Sequence, residues 1–221
     1  PVFEGEANRQ CMGVGLYRRP SDGEVFVIVS RREGPSGAYL WQYRLHDDGT
    51  GKIVGEHVRS FGKFGGAKQI EAVAVDDENG YVYYSDEGAG IRKYHADPDH
   101  PDAALELALF GVSDFYEERE GISIYDTGGG SGYIIVSDQY ADRMNIYPRE
   151  GKPGAPHTHE LLKRVYLRAD HSDGNEVTSV PLSPLYPGGL FVAMSEGKVF
   201  HFYAWKDLAE ATGERLVVVG E

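Results

Sequence analysis

The chain has 221 residues, 41% of them apolar and 12% aromatic, which is enough for one well-buried domain. Its net charge of −13 is spread along the sequence, so the field repels nucleic acid and anionic membranes, and any anionic ligand needs a cation between it and the protein. Apolar runs such as 133–136 and 190–194 fall far short of the roughly 20 residues of a spanning helix, and the single cysteine, Cys11, excludes an internal disulfide framework.

Twenty-nine Gly and fifteen Tyr predict many short strands joined by tight turns. The chain opens at Pro1 without Met, which is expected either after removal of a leader or for a start inside a longer protein. Cys11 carries no motif and reads as a small buried residue. From Met12, MGVGLYRRPSDGEVFVIVSRREG reads as an alternating strand, a polar turn, a Gly, an apolar strand and a Ser. The pattern returns as EAVAVDDENGYVYYSDEG from Glu71, EGISIYDTGGGSGYIIVSDQY from Glu120 and EVTSVPLSPLYPGGLFVAMSEG from Glu176. Gly23, Gly80, Gly132 and Gly189 mark it at intervals of 57, 52 and 57 (80−23, 132−80, 189−132). Ser30, Ser85, Ser137 and Ser195 follow in the same order, and Tyr43, Tyr94, Tyr147 and Tyr203 close a third strand. More polar fourth strands are predicted at 53–61, 106–110 and 161–167, and one helix at 205–211, ended by Gly213.

Four strands per repeat at this period predict an all-β fold, a β-propeller with about four four-stranded blades, the repeats running approximately over 12–61, 71–110, 120–168 and 176–219 of a single domain. A β-sandwich would supply short strands but not this recurrence. Since a ring must close to remove its sheet edges, further blades are expected ahead of Pro1.

The first strand of a propeller blade lines the channel, so Met12, Glu71, Glu120 and Glu176, which open the four first strands, are expected to converge on one mouth. The positions after the second strands add Arg32 and Glu33, Asp86 and Glu87, Asp138 and Gln139, and Glu196. Crowded carboxylates need a cation, and calcium tolerates irregular oxygen cages better than magnesium does. The glycine-rich 126–132 lacks the lysine of a phosphate loop and reads as a hairpin turn. His157 and His159 read as solvated loop residues, and Trp41, Tyr43 and Tyr203 as packing between blades.

These segments resemble the β-propeller phytases, the calcium-dependent alkaline phytases best known from bacilli. The likeness runs from about Gly13 to Trp205 and is most specific in EAVAVDDENGYVYYSDEGAGIRKY, with EGISIYD, GYIIVSDQ, SDGNEV and YPGGLFVA following in order. The resemblance implies a six-bladed propeller, a secreted or periplasmic setting, calcium as cofactor, and phytate as substrate. It makes Glu71 and Glu120 calcium ligands at the cleavage site, with Glu118 where the family has Asp. Arg32 stands for a phosphate-contacting Lys, Glu33 and Glu87 match acidic site residues, and Gln139 and Asp173 match two more residues of the same mouth. Met12 replaces a phosphate-binding Tyr, 169–176 and 195–200 are shorter than the family's loops, and the family's first third has no counterpart. The blades it supplies were cleaved off as a separate fragment, lie on another chain or were never there, alternatives that stay open at this point.

The expected activity is therefore a calcium-dependent phosphomonoesterase on phytate. Glu71, Glu87, Glu120 and Arg32 are the catalytic candidates, and Arg32, Glu33, Gln139 and Asp173 the substrate contacts. The metal set comprises Glu71, Glu118, Glu120, Glu33, Asp173 and Glu176. Two alternatives remain open: a non-catalytic propeller that binds calcium or phosphate esters, and another calcium-dependent propeller hydrolase such as a lactonase or phosphodiesterase.

Overall fold

The structure, a computed structural model, describes residues 1–211 and 213–221. Nearly every element is a strand, and the strands follow one another as antiparallel meanders. The first sheet runs β1 (Cys11–Arg18), β2 (Val25–Arg31), β3 (Leu40–Asp47) and β4 (Ile53–Phe61). The second runs β5 (Val73–Asp76), β6 (Tyr81–Asp86), β7 (Gly90–His95) and β8 (Ala108–Phe110). The third holds β9 (Arg119–Gly128), β10 (Ser131–Asp138), β11 (Arg143–Pro148) and β12 (Lys163–Tyr166). The fourth has three strands among the described residues, β13 (Asn175–Thr178), β14 (Leu190–Ser195) and β15 (Val199–Ala204), followed by α1 (Trp205–Glu210). This is a β-propeller fold built of consecutive blades. Among the described residues no helix is long and apolar enough to cross a membrane.

Two compact units divide the chain, residues 1–109 and 110–221. In the first, inward residues of the first two sheets, among them Tyr17, Phe26, Ile28, Leu40, Val82, Tyr84 and Tyr94, share one buried core. The middle strands are buried on both faces, which is why β6 reads YVYYSD with hardly a polar break, whereas the outermost strand β4 is exposed over most of its length. In the second unit the core gathers Tyr125, Ile135, Met144, Val177 and Phe191 around Trp205, whose ring stacks on Tyr125 at 4.0 Å and whose Nε1 donates to Val217 O at 2.9 Å. Lys163, buried in β12, donates from Nζ to the carbonyls of Ala209, Ala211 and Glu214 at 2.7 to 2.9 Å, satisfying the end of α1. The helix stops with Ala211 as its C-terminal cap, ahead of Gly213.

The sequence landmarks have specific duties. The serine near the end of each second strand is buried; Ser30 Oγ donates to Ile70 O at 2.7 Å and Ser137 Oγ to Ser172 O at 2.5 Å, each tying its blade to the segment entering the next, and Ser195 Oγ accepts from Asp170 N at 2.9 Å in the segment entering its own blade. Each third-strand tyrosine holds the connection into its own blade. Tyr43 OH accepts from Phe3 N, Tyr94 OH from Lys63 N and Tyr203 OH from Arg168 and Ala169 N, while Tyr147 OH donates to Asp114. Gly132 and Gly189 open second strands at φ 141° and 109°, where a Cβ would stand 2.1 Å from Tyr125 O and 1.9 Å from Thr178 O.

Two expectations about single residues need correction. Cys11 is exposed, because it sits at the irregular end of β1 where the register with β2 shifts. His159 is not a solvated loop residue: it is 5% exposed, packs its ring at a tilt against Phe110 at 4.6 Å and engages Pro148 O through Nδ1 at 2.8 Å.

Candidate metal and phosphate site

In the first unit, pairing between the strands continues past the formal ends of β5 and β6. Ser85 N donates to Ala72 O and Glu87 N to Gln69 O, both at 3.1 Å. This brings carboxylate oxygens of Glu71 and Glu87 within 4.8 Å of each other, with Glu87 only 5% exposed. β1 fixes the height of the pair: Gly13 N donates to Ser30 Oγ at 2.7 Å, and a Cβ on Gly13 would lie 2.4 Å from Glu71 O. Gln69, whose carbonyl accepts from Glu87 N, has a side-chain Oε1 that is buried without a hydrogen-bond partner. Carboxylate oxygens this close together are the hard donors that suit calcium, so the residues present fit that ion. Arg32 and Glu33 have exposed side chains, on a backbone held by Arg32 N donating to Gln10 O at 3.0 Å and Tyr39 OH donating to Arg32 O at 2.8 Å.

In the second unit, Glu120 is buried in β9 at 4% exposure. Gln139 N donates to Glu118 O at 3.4 Å, and Gln139 Nε2 donates to Asp173 Oδ1, so Glu118, Gln139 and Asp173 come together. Burial, and then the charges of Glu118 and Glu196, push the Asp173 carboxyl above the usual aspartate range, while His171 pulls it back. A further group, Asp142, Asp170 and His171, places ligand atoms within 4.8 Å of one another. His171 Nδ1 lies 2.8 Å from Asp170 Oδ1, which raises the imidazole pKa, and His171 N donates to Asp142 Oδ1 at 3.0 Å.

Two parts of the predicted mouth are corrected by register and burial. The residues before the landmark serines pair as Val29 with Val14, Tyr84 with Val73 and Val136 with Ile122, so Met12, Glu71 and Glu120 each stand two residues ahead of an equivalent position. In the last blade Met194 N donates to Gly174 O and Ala193 pairs with Asn175, which gives that place to Ser172. Glu176 pairs with Val192, four residues further along, beside Met194 and Phe200, and is not equivalent to the other two Glu. The second correction concerns Asp86 and Asp138, which are fully buried in ion pairs with Arg92 and Arg143 and present nothing to a rim. An acid at the end of a second strand with an Arg five or six residues on, at 86/92 and 138/143, is the sequence signal that distinguishes them from Glu87 and Gln139.

The phytase family profile matches residues 6–218, spanning both groups of acids. The chain belongs to the phytase family. It is 28% identical, over a 216-residue alignment, to the 3-phytase of Bacillus subtilis (strain 168), an alignment covering 93% of this chain and 54% of that protein. The chain thus spans about half the length of this curated relative. Among solved structures, the β-propeller domain of Cps50 (Swd1) from Myceliophteria thermophila superposes with a TM-score of 0.52 at 12% identity, over 88% of this chain and 54% of that one, a likeness of fold alone. Within this phytase-family chain, Glu71, Glu87, Glu118, Glu120, Gln139 and Asp173 all lie inside the matched span.

Proposed function

We propose that this chain carries the greater part of the site of a calcium-dependent phosphomonoesterase that hydrolyses phytate. The observation that carries the reading is the Glu71–Glu87 carboxylate pair, buried on the Glu87 side, in a chain matched to the phytase family over residues 6–218. Calcium, when bound, supplies neutralisation of carboxylate and phosphate charge and acidifies water for in-line attack at phosphorus. Glu71 and Glu87 would hold that ion in the first unit, and Glu118, Glu120 and Asp173 would offer oxygen donors in the second. The exposed guanidinium of Arg32 would contact a phosphate oxygen through its planar fork of donors, with Glu33 beside it, and Gln139 of the second unit would contribute a further substrate contact. Water adds to phosphorus, the ester P–O bond breaks, and the leaving inositol oxygen takes up a proton. No covalent phospho-enzyme is required.

The test is phosphate release from phytate by the full chain, in calcium and then in excess chelator. Activity that disappears in chelator and returns with calcium is expected; activity undiminished in chelator would overturn the reading. Met12, half-buried where the family resemblance has a phosphate-binding Tyr, favours a second reading as a calcium- or phosphate-binding propeller without turnover. A panel of phosphomonoesters, phosphodiesters and lactones separates the two and also detects a different hydrolase.

A further inference from the structure

Asp86 and Glu87 are consecutive at the end of a strand, so their side chains leave on opposite faces. Glu87 goes to the candidate metal site, and Asp86 goes into the protein, where it is fully buried. Its Oδ2 accepts from Arg92 Nε and from Gly65 N, each at 2.7 Å. Arg92 Nη1 continues to Glu106 Oε2 at 2.5 Å, and Glu106 Oε1 meets Lys63 Nζ at 3.3 Å. The backbone of Lys63 is held in turn, its carbonyl by Tyr84 OH at 2.8 Å and its N–H by Tyr94 OH at 3.2 Å.

As a source of stability this arrangement is poor. A buried ion pair roughly balances its own desolvation, and Asp86 Oδ1 is buried with no hydrogen-bond partner, a further cost. What the pair does achieve is geometric. It fastens the end of β6, the start of β7 and the loop 62–70 to one another on the face opposite Glu87. The same device recurs in the third blade, beside Gln139. Fully buried Asp138 accepts from Arg143 Nε at 2.8 Å and, at the connecting loop, from Tyr116 N at 3.0 Å. In the first blade the charges are exchanged: Arg31, 3% exposed, pairs with Glu6 at 2.6 Å in the entering segment, and the next residue is Arg32. In all three blades a locked buried charge precedes a residue assigned above to metal or substrate.

We propose that the Asp86–Arg92 pair is a positioning device that sets the direction and height of the Glu87 carboxylate for the metal, an inference that rests on the function proposed above. The decisive variant is Asp86→Asn, which keeps the size and an acceptor for Gly65 N but removes the charge that orients Arg92. Arg92→Lys is the second variant, for use if the first fails to fold. Arg149→Lys, altering another buried Arg in its pair with Asp126 at the far hairpin of the third blade, is the control for general loss of stability.

Calcium affinity is measured by titration calorimetry, and exchange of the Glu87 amide, which donates to Gln69 O, is followed by NMR without metal. The expected result is a loss of calcium affinity of about tenfold or more in Asp86→Asn, the size typical of groups that orient metal ligands. Faster exchange at Glu87 should accompany it, with Arg149→Lys unchanged in both. Partial rescue in Arg92→Lys relative to Arg92→Met separates positioning from packing. Unaltered calcium affinity with unaltered exchange in Asp86→Asn would overturn the inference. If the unsubstituted protein binds no calcium, the proposed function falls, and the exchange comparison still decides whether the pair positions Glu87.

Discussion

Lys93 shows how far one residue can depart from its usual chemistry in this fold. It is fully buried on β7, with Nζ 3.9 Å from the centre of the Tyr81 ring and 5.5 Å from that of Tyr83. Burial brings its pKa down to about 8, and the charge of Asp76 opposes the fall only in part. The unfolded chain keeps the ordinary value near 10.5, so between these two pH values it binds a proton that the folded chain has released. Stability linked to Lys93 therefore rises with pH across that window, and the cost of burying the ammonium is fully present below pH 8. That shift corresponds to a cost on the order of 3 kcal/mol, against which the attraction of the two tyrosine rings for the ammonium is set. Lys93→Met is expected to be most favourable, relative to the unsubstituted protein, below pH 8, and to lose that advantage towards pH 10.5. Thermal melts of both proteins from pH 6 to 10.5 check this, and a difference that does not vary with pH would show that Lys93 carries no proton-linked cost. Among the site residues, Glu71→Gln and Glu87→Gln keep shape and remove charge, so each should weaken calcium binding by about tenfold or more while leaving the metal-free melting temperature nearly unchanged, as calorimetry would show.

Elements, more than single side chains, decide where the site stands. β1 presses its glycines against the segment that carries Glu71, so adding a methyl group there tests that dependence. In Gly13→Ala the new Cβ would lie 2.4 Å from the Glu71 carbonyl oxygen, and backbone must move; in Gly15→Ala it would meet the Val73 and Val75 side chains at 3.0 to 3.1 Å and Val73 O at 3.2 Å, contacts that a shift of a few tenths of an ångström relieves. We expect Gly13→Ala to cost about 1–3 kcal/mol, as overpacking does, and to weaken calcium binding as well, with Gly15→Ala milder in both. Equal calcium affinity in the two variants would mean that β1 does not set the height of Glu71. The repeat itself was legible because its third-strand tyrosines are bound to the connections into their own blades, and a residue with the same duty in every blade recurs in sequence. Register was less legible. The hairpins at 19–24, 77–80, 129–130 and 179–189 differ in length, so spacing from a landmark aligned Glu176 with Glu120, whereas hydrogen bonding places Ser172 there. Asp86 and Glu87 look alike as letters, and only packing reveals that one faces Arg92 and the other the site. The tie between Gln139 and Asp173 spans thirty-four positions, a pairing that local pattern cannot reveal.

For the whole molecule the governing quantity is a net charge of −13 set against the polyanionic substrate proposed above. Fixed repulsion between them is screened by salt and reversed locally by a divalent ion, so phytate should bind measurably only when calcium is present. Calcium that binds the folded chain and not the unfolded one adds about 2.7 kcal/mol of stability at a hundred times its dissociation constant. The melting temperature should accordingly rise with calcium, by much less in the Glu71→Gln, Glu87→Gln double variant. Protons compete for the same carboxylates, so the rise should shrink as the pH falls towards the carboxylate range. Magnesium demands a tighter and more regular oxygen cage and should give a smaller rise at equal concentration. Calorimetric scans with calcium, magnesium and chelator at pH 5 and pH 7.5 examine all three expectations together. A rise of equal size for both ions, unaffected by the double substitution, would place the stabilising cations in the general ionic atmosphere of an acidic protein instead of between Glu71 and Glu87.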